Sequence, residues 1–255
     1  MHGEISKMRI KFVRGMWGMA EHSLQANLKK IKEAGFHGVE GPAPFGENDK
    51  HQMKCLLEGY DLDFIGHQHS DLFRDGASVS DHISLSKQQL DNNKELGAVF
   101  VNSQTGKDYF SVEDNAHIIR EVDAYATSIG LNVVHEVHRG RFSFSIASTL
   151  ALLDAVPEIR LNADFSHWCC VHESLLHNQL DGVNRAIQHS DYIHARVGHP
   201  QGPQVNDPRC PHNKSALDAH LAWWDAIVER NKNDGKNEFY ISPEFGPEAT
   251  CQHFP

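Results

Sequence analysis

One pattern recurs along this chain. A short apolar or β-branched run ends in a histidine, a carboxylate or an amide, and a loop and an amphipathic stretch closed by glycine follow. A strand that must meet the next strand through a helix is predicted to lie parallel to it, in a sheet covered by helices. Predicted strands cover Met8–Val13, Phe36–Glu40, Leu62–Gly66, Ala98–Asn102, Leu131–Glu136, Ile159–Asp164, Tyr192–Val197 and Glu238–Ser242. Predicted helices cover Glu21–Ala34, Glu47–Glu58, Ser80–Leu96, a stretch N-capped by Ser111 and ending at Ile129, Ile146–Ala155, Glu173–Gln188 and Ser215–Arg230. Gly35, Gly59, Gly97 and Gly130 stand where four of these helices should stop.

Strict alternation over a chain of 255 residues predicts a single α/β domain, a (β/α)8 TIM barrel spanning 1–255. A doubly wound sheet would need a phosphate-binding glycine loop after strand one. The sequence there is Arg14-Gly15-Met16-Trp17-Gly18, without GxGxxG spacing. Only Phe245 to Pro255 remains after strand eight, so the last helix is expected to be short or missing. Either the barrel closes with a stub, or a second copy covers the gap in a homodimer.

The net charge of −10 argues against nucleic acid as a partner. No apolar run is long enough to span a membrane, and Met1 to Lys7 has no signal-like core. The five cysteines, Cys55, Cys169, Cys170, Cys210 and Cys251, are odd in number and form no CxxC. Reduced thiols in a cytoplasmic protein are the expectation. Cys169-Cys170 are read as packing residues.

In such a barrel, chemistry is built where the strands end. Strand two ends in Glu40, strand three in His67 and His69, and strand four in Asn102 and Gln104. Strand five ends in Glu136 and His138, strand six in Asp164 with His167 three residues on, strand seven in His194 and Arg196, and strand eight in Glu244. On strands five to eight alone, three carboxylates on one rim would repel one another and raise one another's pKa. A divalent cation removes that repulsion. Oxygen-rich ligation with one imidazole suits Mn²⁺ best, then Mg²⁺ or Co²⁺, and a catalytic Zn²⁺ is also compatible.

The set Glu136, Asp164-x-x-His167, His194-x-Arg196 and Pro243-Glu244 resembles the xylose isomerase-like TIM barrel superfamily, with the ketose 3-epimerases as the nearest pattern. The resemblance implies one metal ion held by Glu136, Asp164, His194 and Glu244, with Glu136 and Glu244 also the catalytic acid and base. It implies a small carbohydrate as substrate, with His167 and Arg196 holding its oxygens. His67, His69, His138, Arg141 and Trp17 are expected on the substrate side. A second substrate-side Glu shortly after strand five is part of the epimerase pattern and is not found. Positions 139–145 read Arg-Gly-Arg-Phe-Ser-Phe-Ser, so Arg139 or Arg141 is expected to meet a carboxylate or phosphate.

The reading is therefore a sugar isomerase or epimerase that removes a proton next to a carbonyl. An aldose–ketose isomerase of the hydroxypyruvate isomerase type, and a lyase or dehydratase, are alternatives on the same site. A DNA-repair endonuclease of the same barrel would need further metal ligands. Asn102, Gln104 and Asn206-Asp207-Pro208-Arg209 stand where they belong. A barrel that keeps the fold without activity is disfavoured by the full ligand set. His199, in the rigid loop Gly198 to Pro203, is expected to reach the substrate.

Overall fold

A computed structural model describes residues 8–19, 21–72 and 74–246. Eight parallel strands close on themselves in sequence order: β1 (Arg9–Gly15), β2 (Gly38–Gly41), β3 (Asp63–His69), β4 (Val101–Gln104), β5 (Val133–Glu136), β6 (Leu161–Ala163), β7 (Ser190–His194) and β8 (Glu238–Ser242). The seam is the β1–β8 pair, where Arg9 to Phe12 lie opposite Glu238 to Ile241. The helices are α1 (Leu24–Glu33), α2 (Glu47–Gly59), α3 (Val79–Leu96), α4 (Val112–Ser128), α5 (Ile146–Ala155), α6 (Ser166–Val171), α7 (Leu180–His189) and α8 (Lys214–Asn233). This is a (β/α)8 barrel, as the alternation predicts.

Period-two alternation sorts each strand into two faces. Val13, Ile65, Val134, Tyr192 and Tyr240 pack together, with Phe100 against them, as the apolar floor inside the barrel. Two residues further along β5 and β7, and on β4, the inward positions turn polar: Glu136, His194 and Asn102. The outward positions carry the core under the helices. Val137, Phe142, Leu152, Leu161, Phe165, Trp168 and Ile193 belong to its largest cluster. Each fully buried aliphatic there is worth roughly 1.5–3 kcal/mol over exposure.

Local signals place the helices. Ser78 and Asp81 form a reciprocal capping box on α3, and Gly97 at φ +86 ends that helix in the left-handed region that favours glycine. Gly182, awkward for a helix interior, lets α7 lie against α5, because a Cβ there would come 2.3 Å from Ile146 Cγ2.

The segment after β6 departs from the expected single helix over 173–188. The chain turns at once into the short α6. It then passes through Glu173 and Leu176, both at positive φ, and restarts as α7. Trp168, Cys169 and Leu176 are buried by this detour. Strand seven begins and ends earlier than expected, because the Arg196 N–H bonds back to the His194 carbonyl and ends the extended run. Most of the predicted stub after strand eight lies outside the described residues. None of the described helices is long and apolar enough to cross a membrane.

Candidate metal centre at the C-terminal mouth of the barrel

The inward polar residues at the strand ends meet in one cluster. Glu136, Asp164 and His194 bring one ligand atom each to within 4.8 Å of one another, and all three are buried. Glu244 joins them from beyond β8, with Oε2 2.9 Å from His194 Nδ1. The other face of the same imidazole, Nε2, lies 3.0 and 2.9 Å from the two oxygens of Glu40 on β2. Tyr192 Oη donates to Glu40 Oε2 at 2.6 Å. Asn102 Nδ2 spans two carboxylates, donating to Glu40 at 2.9 Å and to Glu136 at 2.8 Å. Its orientation is fixed by Asn162, which donates to Asn102 Oδ1 at 3.2 Å. Gln104 donates to the other Glu136 oxygen at 3.2 Å.

A second group surrounds Asp164. Arg196 donates to Asp164 Oδ2 at 2.6 Å and to His167 Nε2 at 2.5 Å, and pairs with Glu244 at 3.1 Å. Ser166 donates to the other Asp164 oxygen and accepts from Arg196 Nε. The His138 and His167 rings are 3.9 Å apart. Arg139 Nη1 lies 3.1 Å from His167 Nδ1.

Charge follows from this geometry. Burial pushes the Asp164 carboxyl up to about 7 against the pull of Arg196, and the charges of Glu244 and Glu136 add to the rise. Burial acts the same way on Glu40, but His194 outweighs it and holds that carboxyl at about 2. Burial likewise opposes ionisation of Glu244, yet Arg196 and His194 hold it below the ordinary range. His194 is kept charged well above the usual imidazole range, because Glu40, Glu136 and Glu244 overcome its burial. His167 is held neutral by burial and by His138 and Arg196.

These residues fit a divalent cation. His194 Nδ1 and Glu244 Oε2 are buried and face each other, and neither has a hydrogen-bond partner of proper geometry. Two ligand atoms about 2.1 Å from one ion, at right angles, lie about 3 Å apart. A cation would also return Asp164 to its ionised form.

Not every expected site residue sits alike. Glu136, Asp164 and His194 converge, Glu244 lies against His194, and His167 and Arg196 stand beside them. Arg196 is 4% exposed and engaged with Asp164, Glu244, Ser166 and His167, so it braces ligands rather than facing open space. His67 Nε2 is 3.6 Å from Glu136, and the ring stays partly exposed toward the mouth. His69 lies against His67 with the rings tilted by 35° and bonds Gln104. His138 is partly exposed, its Nδ1 on the Arg139 carbonyl. Arg141 points elsewhere: it is buried on Asp71, which Lys107 also pairs. Trp17 is 47% exposed in the turn after β1 and makes no hydrogen bond, ion pair or ring contact with the cluster among the described residues. The His199 ring caps its own turn by accepting from Gln201 N–H.

Glu40 and Tyr192 are the members that strand-end reading did not assign. Glu40 carried the same signal as Glu136, a carboxylate ending a predicted strand. Tyr192 carried none, since it reads as an ordinary strand residue.

A cavity of about 550 Å³ opens at the opposite end of the barrel, lined by Phe100, Asp123, Arg160, Asp191, Lys236 and Tyr240 among others. Its Arg160 and Lys236 are both paired with Asp191.

Residues 28–237 match a protein family described as xylose isomerase-like TIM barrel. No curated protein gives a significant match in sequence. Three solved structures share the fold. The IOLI protein with a bound zinc atom is 15% identical, with 93% of this chain and 90% of that chain covered and a TM-score of 0.66. The probable 3-DHS dehydratase AsbF from Bacillus anthracis is 16% identical, covering 94% of each chain, with a TM-score of 0.63. The 3-keto-D-glucoside 4-epimerase YcjR from E. coli, in apo form, is 14% identical, with 94% and 93% covered and a TM-score of 0.62.

Proposed function

Since this chain belongs to the xylose isomerase-like TIM barrel family, we propose that it is a divalent-metal-dependent enzyme that moves a proton next to the carbonyl of a keto sugar or sugar acid, an isomerase or epimerase. The observation that carries this reading is the convergence of Glu136, Asp164 and His194 at the barrel mouth, with Glu244 against the free nitrogen of His194. Those four residues hold the ion, with Mn²⁺ favoured and Mg²⁺, Co²⁺ or Zn²⁺ compatible. When bound, the ion polarises the substrate carbonyl as a Lewis acid and so acidifies the neighbouring C–H.

The protein supplies the rest. Glu136 and Glu244 lie 3.9 and 2.9 Å from His194 Nδ1, and these two carboxylates serve the reacting carbon. One takes the proton and the other returns one. Arg196 keeps Asp164 and Glu244 in place. His67 and His138, the histidines open to the mouth, contact substrate hydroxyls.

A second reading is elimination of water from a hydroxylated keto acid, which shares the abstraction step. Arg139 favours it: this exposed guanidinium stands beside His167 with no carboxylate within ion-pair distance among the described residues, ready for an acidic substrate. A nucleic-acid substrate fits poorly, since Asn102 commits both N–H groups to carboxylates and the chain carries a net −10. The four described cysteines are free thiols, which suits a cytoplasmic setting. A homodimer covering the end of the barrel belongs to the same proposal.

The test is deuterium wash-in from solvent into a panel of ketoses, sugar acids and keto acids with Mn²⁺ present. Incorporation at the carbon beside the carbonyl, abolished in Glu136→Gln, is the expected result. Turnover of a substrate without any solvent exchange would point to hydride transfer and sink the proton-abstraction reading.

A further inference from the structure

We infer that Glu40 is a positioning residue that fixes the tautomer and ring orientation of His194, so that Nδ1 is the nitrogen presented to the metal; this rests on the metal-site reading above. Glu40 is 3% exposed and sits inside the barrel, one strand position below the rim, where (β/α)8 interiors are ordinarily filled by branched apolar side chains. A buried carboxylate is costly unless its lone pairs are used. Here both oxygens are used. Oε1 takes Asn102 Nδ2 and Oε2 takes Tyr192 Oη, and both lie within 3.0 Å of His194 Nε2. An acceptor-only group at that distance requires a proton on Nε2. With Nε2–H donated to Glu40, displacement of the second ring proton by a bound cation would leave the lone pair on Nδ1.

Nδ1 is the nitrogen that faces the other proposed ligands, 2.9 Å from Glu244 and 3.9 Å from Glu136. It has no hydrogen-bond partner, although the atom is fully buried. A metal-binding histidine that donates its second N–H to a carboxylate is held in orientation and made more basic. The bracing extends outward. Tyr192 is on β7, two residues before His194, and Asn102 links Glu40 to Glu136, so ligands on β5 and β7 are set by one carboxylate on β2. Glu40 itself has its oxygens committed and stands on the far side of the imidazole from Glu244, which makes it a brace for the ligand and not a fifth ligand.

The full-length chain, stripped of metal by chelator dialysis, is titrated with Co²⁺ alone by calorimetry as wild type, Glu40→Gln, Glu40→Leu and Tyr192→Phe. Proton NMR of each Co²⁺ form in H2O and D2O follows the coordinated ring. The expected wild-type signature is one far-shifted, slowly exchanging ring N–H, from His194 Nε2. Glu40→Gln should weaken Co²⁺ binding roughly tenfold and Glu40→Leu roughly a hundredfold, with faster exchange of that proton in both. Tyr192→Phe leaves Glu40 in place and should lose only a few-fold, which tests the brace even where a Glu40 variant fails to fold. Affinity within twofold of wild type in every variant, with the N–H unchanged, would overturn the positioning role. Abolished binding by folded Glu40→Gln would overturn it in the other direction, by making Glu40 a ligand. A wild-type protein that takes up no Co²⁺ would overturn the metal site itself, and the inference with it.

Discussion

Ser143 links the strand that carries Glu136 to the helix that follows Asp164, and its removal has a calculable cost. Its hydroxyl donates to the Glu136 carbonyl at 2.5 Å and accepts from the His138 N–H at 3.2 Å, while its own carbonyl accepts from the Trp168 indole at 2.9 Å. The residue is fully buried. In Ser143→Ala the indole bond survives, but two backbone groups around Glu136 lose their partner. The space vacated by one oxygen is too small and too enclosed for a replacement water. An unsatisfied buried backbone group costs about 1–3 kcal/mol, so the variant should lose at least about 2 kcal/mol. For a chain of this size that corresponds to a fall in Tm of about 4–8 °C. The same change frees the Glu136 backbone, so metal affinity should fall as well. Thermal unfolding with and without saturating Mn²⁺ reads both effects. A Tm within about 1 °C of wild type in the absence of metal would refute the reasoning.

Gly198→Ala would put a Cβ 2.7 Å from Ser166 Cα and its carbonyl oxygen, and backbone at the start of α6 cannot swing aside. It should cost about 1–3 kcal/mol and weaken metal binding, because Ser166 stands between Asp164 and His167; calorimetric titration beside a melt checks both. Asp191 is paired by Arg160, Lys236 and Arg230 at 2.6–3.1 Å, and these outweigh its burial and hold its carboxyl below the ordinary range. Its contribution is therefore present above about pH 3.9 and lost as pH falls through the lower folded value. Asp191→Asn should lose about 2 kcal/mol at pH 7, with the gap closing in urea melts toward pH 2; a constant gap would contradict the sign. Ser78→Ala removes the exposed α3 cap far from the mouth and should cost about 1 kcal/mol with unchanged metal affinity.

Much of this was legible in the residues themselves. Alternation of strand and helix requires a parallel sheet, eight such units favour a barrel, and a barrel places every strand end on one rim, so topology brings Glu136, Asp164, His194 and Glu244 to the same end. What stayed hidden depends on which way a side chain faces once the barrel closes. Glu40 has the same local signal as Glu136, but its contact with His194 spans 154 residues and appears only with the register of β2 against β1 and β3. Arg141 and Arg139 look equivalent in sequence. One is spent on Asp71 and the other faces the mouth, because two residues of loop turn them apart. Trp17 shows the converse, an aromatic after strand one that topology places near the mouth without giving it a contact there. The short α6 was missed because six residues carry too little periodicity, and Trp168 and Cys169 prolong the apolar pattern of strand six.

One ion held by four side chains is what every proposed role of these residues requires. Equilibrium dialysis of metal-free protein against Mn²⁺, with bound metal measured by atomic emission, tests it in wild type, Glu136→Gln and Glu244→Gln. About one ion per chain in wild type and a large loss in both variants is the predicted result. Unchanged metal content in both variants, or none in wild type, would contradict it.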